Sequence, residues 1–276
     1  MILDGHIHIA TRGGDREDFA RRLRAAGVGG GMIVSLPPPA FRAIAETGSA
    51  DERLDSLFWW AETDAELYPL FWIDPVEDDA LGQVAAAVGR GVSGFKVICD
   101  RHDPGDARAM PVYDAIARAG RPILFHSGIL WDGKPSSMHN RPAGFEPLLE
   151  VTGLRFCLAH ISWPWCDEAI AVYGKFLTAR RRRSVPPAEM FIDITPGTPR
   201  IYRREALTKL YTVGYDVKDN VIFGSDNHAD SYGAEGVRQW IDFDGAILRD
   251  LGLPAQTLDA LYCGNLRRFV GCVKNR

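Results

Sequence analysis

His6 and His8 stand two residues apart in Asp4-Gly5-His6-Ile7-His8-Ile9. In an extended strand that spacing turns both side chains to one face, so both imidazoles can reach one metal ion. Three later apolar runs end on groups of the same kind: Leu124-Phe125-His126, Leu158-Ala159-His160 and Phe223-Gly224-Ser225-Asp226. A lone histidine after such a run is more often a hydrogen-bonded core residue, and a lone aspartate a helix cap. Four histidines and an aspartate at corresponding ends of four runs are harder to explain as separate packing accidents. Neutral imidazoles with a carboxylate suit Zn²⁺, Mn²⁺ or Fe²⁺.

Lys96 lies in Ser93-Gly94-Phe95-Lys96-Val97-Ile98, among apolar neighbours. An unpartnered buried ammonium is strongly disfavoured, so this group must be paired, deprotonated or chemically modified. Pairing with Asp100 or Asp226 would account for it equally well.

These residues must be placed by the elements that carry them. Eight short apolar runs read as strands: Ile2 to Ile9, Gly31 to Leu36, Tyr68 to Asp74, Gly94 to Asp100, Pro122 to Ser127, Arg155 to Ile161, Met190 to Thr195 and Val221 to Asp226. Their continuous apolarity fits parallel strands buried on both faces. Helical stretches alternate with them, at Asp15 to Ala26, Asp79 to Gly89, Ala107 to Ala119, Asp167 to Arg182 and Arg203 to Val213. Two more follow, Gly236 to Leu251 and Gln256 to Cys263. Gly27, Gly89 and Gly120 read as left-handed helix stops. Residues 37 to 66 are the least regular part, and Leu57-Phe58-Trp59-Trp60 could cover the mouth of a barrel or pack against it. Such alternation permits a closed barrel or an open doubly wound sheet. The barrel is preferred because its enzymes build sites at the C-terminal ends of the strands, where the unusual residues fall here. The expected fold is α/β: a single (β/α)8 TIM-like barrel with parallel strands and extra C-terminal helices, one domain over residues 1–276.

The 276 residues suit one such barrel. With 46% hydrophobic and 25% charged residues the composition is that of a folded globular domain. A net charge of −4 gives no broad surface for nucleic acid or anionic membrane, and no apolar stretch is long enough to span a bilayer. The expected partner is a small-molecule substrate, with no nucleic acid and no membrane; a homo-oligomer stays open. Arg180 to Arg183 read as a solvated helix end. Cys99, Cys157, Cys166, Cys263 and Cys272 form no CxxC pair and read as reduced. With no signal-like segment at the start, a cytoplasmic location is expected.

In order and motif the chain resembles the amidohydrolase superfamily, and more narrowly its amidohydrolase 2 branch. The resemblance rests on Asp4-Gly5-His6-Ile7-His8, Gly94-Phe95-Lys96, His126-Ser127-Gly128, His160, Phe223-Gly224-Ser225-Asp226 and Gly264-Asn265-Leu266. It implies a metal-dependent hydrolase with a metal on His6, His8 and Asp226 and with His126 as a further ligand. In two-metal members a carbamylated strand-four lysine bridges the ions, the role open to Lys96, with His126 and His160 on the second. One catalytic ion is favoured, Zn first, with His160 beside it. Asp226 would then take the proton of the attacking water, and His160 would orient that water or stabilise the oxyanion.

Substrate contacts are expected from the strand-to-helix loops: His102, Trp131, Lys134, His139, Arg141, Trp163, Arg200 and Tyr202, with Asp103, Arg203 and Arg204 near them. The basic residues point to a carboxylate-bearing substrate, and the tryptophans to a ring, as in a lactone. The leading reaction is hydrolysis of a C–O or C–N bond in a lactone, ester or amide. Its rivals are decarboxylation of an unsaturated or aromatic acid and a non-catalytic binding barrel. Gly264-Asn265 reads as a tie between the last helix and the barrel, and Cys166-Asp167 as a helix start.

Overall fold

The computed structural model describes residues 1–41 and 46–271. Parallel strands β1 (Ile2–His8), β2 (Val28–Val34), β3 (Glu66–Trp72), β4 (Gly94–Val97), β5 (Ile123–Phe125), β6 (Arg155–Leu158), β7 (Glu189–Asp193) and β8 (Val221–Ile222) pair in chain order. A ninth, β9 (Asn227–His228), pairs with β1. Of the run expected as the eighth strand, Val221 to Asp226, only Val221–Ile222 pairs as β8 on β7, and β9 on β1 begins just past its end, so the sheet's two ends meet on one stretch of chain. Across the break Gly5 N–H donates to the Phe223 carbonyl at 2.8 Å and Asp226 N–H to that of His6 at 2.9 Å. The architecture is a TIM-like parallel α/β barrel sheet, the alternative preferred from the polar residues at the strand ends.

Helices α1 (Arg16–Ala25), α2 (Ala50–Ala61), α3 (Ala80–Arg90), α4 (Met110–Arg118), α5 (Cys166–Arg182), α6 (Arg200–Thr212), α7 (Ala234–Asp250), α8 (Ala255–Asp259) and α9 (Asn265–Val270) cover the sheet. Asp15 caps α1 by accepting from Asp18 N–H at 2.8 Å. Of the expected glycine stops, Gly27 and Gly120 adopt the left-handed conformation, whereas Gly89 lies inside α3 and Gly91 ends it. Helix α2 falls in the stretch read as irregular. It starts at a capping box in which Ser49 and Glu52 satisfy each other's backbone N–H groups. Its Leu57 and Trp60 are buried in the layer between sheet and helices, with the Trp60 ring 6.0 Å from Phe19 of α1, and none of Leu57 to Trp60 lines the cavity at the mouth. Asn265 donates to the Lys218 and Val221 carbonyls, the tie expected of the last helix.

Two apolar layers result. Ile7, Ile33, Phe71, Phe95, Val97, Phe125, Phe156 and Ile192 lie between sheet and helices. Leu3, Val34, Trp72, Leu124, Cys157 and Phe191 fill the interior of the sheet. Strict alternation from Leu3 would put Gly5 and Ile7 inside. The pairing of β1 with β2 slips on either side of Asp4, and Ile7 faces the helices instead, which turns His6 and His8 inward. Gly31 makes that slip possible: a Cβ there would lie 1.9 Å from the Asp4 carbonyl oxygen. No described helix is long and apolar enough to cross a membrane. Cys99, Cys157, Cys166 and Cys263 are free thiols, and Cys272 lies outside the described residues.

Candidate metal centre

Lys96 lies between the outward-facing Phe95 and Val97, so it points into the barrel, where it is buried. On the same interior surface His6, His8, His126 and His160 line one cavity with Lys96 and Asp226. His6 Nε2 lies 3.1 Å from His8 Nε2, 3.6 Å from Asp226 Oδ1 and 3.2 Å from Lys96 Nζ; His8 Nε2 lies 3.3 Å from Asp226 Oδ1. Ligand atoms about 2.0–2.2 Å from one tetrahedral ion would stand roughly 3.3–3.6 Å apart, so this convergence fits a cation. His6, His160 and Asp226 likewise offer ligand atoms all within 4.8 Å of one another. His126 sits with its ring edge-on to His160 at 5.2 Å, and its Nε2 faces the Ile129 carbonyl at 3.2 Å.

The protonation states agree with that fit. Burial holds the His6 and His126 imidazoles well below their ordinary value and lowers His8 and, to about 4, His160; nearby Lys96 adds to each. Neutral imidazoles are the form that donates to a metal. Burial also brings the Lys96 ammonium down to about 8, against the pull of Asp226 and Asp193. Desolvation opposes ionisation of Asp226, but His6, His8 and His160 hold its carboxyl well below the carboxylate range. Its side chain is 42% exposed, open to the cavity.

Three residues outside the expected set complete the site. Asp193, at the end of β7 and fully buried, accepts from His6 Nδ1 at 2.8 Å, which leaves the His6 Nε2 lone pair facing His8 and Asp226. Thr195 Oγ1 lies 2.8 Å from His160 Nδ1 and accepts from the His160 backbone N–H at 3.3 Å. His228, on β9 opposite His8, lines the cavity with its ring 6.0 Å from that of His8. Asp193 had a visible signal, a carboxylate inside the apolar run Met190 to Ile194, the same anomaly that marks Lys96. Thr195 closes the run Met190 to Thr195 and His228 follows Asp226 by two residues, and nothing else in the sequence singles either out.

Backbone strain gathers at the same place. His160, Ile161 and Ser162 have φ of 62°, 44° and 57°, and Asp226 has φ 58°. Non-glycine residues rarely adopt this conformation, and it clusters at functional sites. A family model described as Amidohydrolase matches residues 3–272.

The chain belongs to the amidohydrolase family.

It is thus an enzyme of a metal-dependent superfamily, and its cluster of buried imidazoles with the cavity-facing Asp226 carboxylate is the group that could hold the metal. The amidohydrolase fold is shared with solved structures at low identity. Dihydropyrimidinase from Brevibacillus agri superposes with a TM-score of 0.64 at 12% identity, covering 98% of this chain and 70% of the other. 2,6-Dihydroxybenzoate decarboxylase from Rhizobium gives 0.60 at 12%, covering 98% of each. Dihydroorotase from Campylobacter jejuni gives 0.59 at 14%, covering 100% and 84%. No curated protein sequence matches the chain.

Of the amidohydrolase's expected substrate contacts, Trp131 and Trp163 line the cavity. The other six do not, and most are engaged elsewhere. His102 is buried with neither ring nitrogen partnered. Lys134 Nζ lies 3.4 Å from Asp100, His139 pairs with Asp103 at 2.6 Å and Arg141 with Glu168 at 2.8 Å. Arg200 lies over the Trp240 ring, and Tyr202 stacks on Trp163 at 6.4 Å. Arg203 is buried against Asp244, and Arg204 pairs with Asp250. Lys134, Arg141, Arg203 and Arg204 thus face acidic partners rather than the cavity, and Arg200 faces aromatic rings.

Proposed function

We propose that this amidohydrolase hydrolyses a C–O or C–N bond of a small molecule, a lactone, ester or amide, using one divalent ion, Zn²⁺ before Mn²⁺ or Fe²⁺. The convergence of His6 Nε2, His8 Nε2 and Asp226 Oδ1 within 3.1–3.6 Å of one another on the cavity floor carries this reading. Such an ion supplies Lewis acidity and makes hydroxide available near neutral pH. His6, His8 and Asp226 would hold it, with His126 as the further donor. Asp226, open to the cavity, takes the proton of the attacking water and passes it to the leaving group. His160, fixed through Nδ1 by Thr195, offers its other nitrogen to the developing oxyanion. Buried Lys96 would hold positive charge beside the ligand cluster or, if carbamylated, would be a further ligand for a second ion.

Elemental analysis of untagged protein and of His8→Ala tests the centre. About one ion per chain, lost in His8→Ala, is expected; nearly two, the second needing Lys96, would replace it with a bridged pair, and no metal after reconstitution would remove the mechanism. Asp226→Asn should abolish turnover while keeping substantial metal, and near-normal activity would refute its role. Release of CO₂ without net water uptake would decide for decarboxylation.

A further inference from the structure

We propose that the substrate presents a planar aromatic body, carrying no ionised group away from its reacting end, to the outer half of this cavity; the inference rests on the floor being the metal centre. The cavity holds about 390 Å³, towards the small end of small-molecule sites, and it is polar chiefly at its inner end. The buried His6 and Lys96 mark that end. Trp72, paired in register with Lys96, walls that end, and Ile98, Ile129, Leu130, Trp131 and Trp163 supply the remaining apolar lining.

The outer indoles are placed by backbone contact between their loops. Ile129 N–H donates to the Trp163 carbonyl at 3.1 Å, and a Cβ on Gly128 (φ 101°) would come within 2.4 Å of that same oxygen. Leu130 N–H donates to Ser137 Oγ, and Ser136 Oγ to Asp132, which braces the Trp131 loop from its other side. Yet the Trp131 side chain is 84% exposed. A large ring held open to water at the mouth of an apolar cavity is a surface for a second ring, in offset or edge-to-face contact.

Charge sets the second half of the inference. Among the described residues Lys96 is the one lysine or arginine lining the cavity, and it belongs to the floor. The nearby cations are turned to acids outside it: Lys134 to Asp100, Arg141 to Glu168 and Arg101 to Asp74. The rim carries Asp132 instead. A second carboxylate or phosphate on the substrate would stand beside this like charge with no lysine or arginine at the rim to offset it, which is unfavourable.

Three metal-chelating probes separate these elements: acetohydroxamate, benzohydroxamate and 4-carboxybenzohydroxamate, titrated calorimetrically into the zinc-loaded protein. Benzohydroxamate should bind about tenfold or more tighter than either of the others. Trp131→Ala should weaken it by roughly fivefold and Trp131→Phe restore most of that. Equal or tighter binding of the carboxylated probe overturns the uncharged body. A ring that adds nothing over acetohydroxamate overturns the aromatic contact. In both cases binding of acetohydroxamate leaves the metal centre standing. If none of the three binds, the centre and the inference fall together.

Discussion

Replacing Asp193 by Asn tests whether the site is built around one imidazole tautomer. In the native site Asp193 Oδ1 accepts from the Thr195 N–H at 2.5 Å, and Oδ2 faces His6 Nδ1 at 2.8 Å. Asparagine has the same shape but one acceptor. If its carbonyl stays with the Thr195 N–H, its amide nitrogen donates to His6 Nδ1. The imidazole must then carry its proton on Nε2, the atom 3.1 Å from His8 Nε2 and 3.6 Å from Asp226. The opposite amide orientation keeps the tautomer but leaves the Thr195 N–H unpaired, a loss of roughly 1–3 kcal/mol. Losing a partner behind a metal-bound histidine typically weakens metal affinity by about 10–100-fold, or roughly 1.4–2.7 kcal/mol. A hydrogen bond to a charged group is worth about 1.5–3 kcal/mol, the same range by an independent route. Competition against a fluorescent zinc chelator at neutral pH measures the change, with the thermal midpoint as a check that Asp193→Asn folds. A dissociation constant within about twofold of wild type in a folded variant would refute the tautomer argument.

Other elements carry predictions of their own. Arg203 is buried on α6 with Nε 2.8 Å from Asp244, and it also donates to the carbonyls of Ile194 and Thr195. Arg203→Leu strands a buried carboxylate and should cost about 3–5 kcal/mol in urea unfolding, most of it recovered in the double variant with Asp244→Leu; a single-variant loss under about 1 kcal/mol would contradict the pairing. Burial lowers the His102 imidazole below its ordinary value of 6.5, against the pull of Asp74 and Asp106. The unfolded chain therefore takes up this proton first as pH falls, and stability is lost from 6.5 downward toward the folded value. His102→Leu should flatten that acid limb, read as unfolding midpoints from about pH 7 to 5, and an unchanged slope would count against it. Gly31→Ala sets a Cβ 1.9 Å from the Asp4 carbonyl oxygen and should cost more than about 4 kcal/mol. Gly27→Ala, with open space but φ 78°, should cost about 1 kcal/mol.

The fold was legible because its signals are local and repeated. All eight apolar runs overlap parallel strands, and each expected helix overlaps an observed one with its ends displaced by up to a few residues, because two-sided burial and helical periodicity leave their pattern on every segment. Helix α2 was obscured by the prolines before it, although Ser49-Ala50-Asp51-Glu52 carried the capping signature. The cavity-lining histidines, Lys96 and Asp226 were legible for a related reason: each is a polar group set into an apolar run, where only a partner or a function keeps it. The six loop residues fell outside the cavity because a charged residue's partner is set by tertiary contacts. The carboxylate that engages Arg141, Glu168, is 27 positions away on another element, and no spacing rule reaches it.

The irregularities of this barrel and its chemistry have one origin. Ideal alternation on β1 would turn Ile7 inward and both histidines toward the helices; the slip around Asp4, opposite Gly31, reverses this. The Asp4 carboxylate secures the slip by accepting from His6 N–H, Ser225 N–H, Ser225 Oγ and Tyr232 Oη, with the Ser225 N–H bond at 2.8 Å. Those same bonds reach across the break between β8 and β9, where Asp226 takes its left-handed conformation. One buried carboxylate thus fixes both the face of the histidine pair and the turn that presents the aspartate. Burial raises the Asp4 carboxyl to about 6, so its charge is sustained against desolvation by those four donors. Apolar periodicity encodes the barrel, whereas the departures from it at Asp4, Gly31 and Asp226 encode where the donors converge.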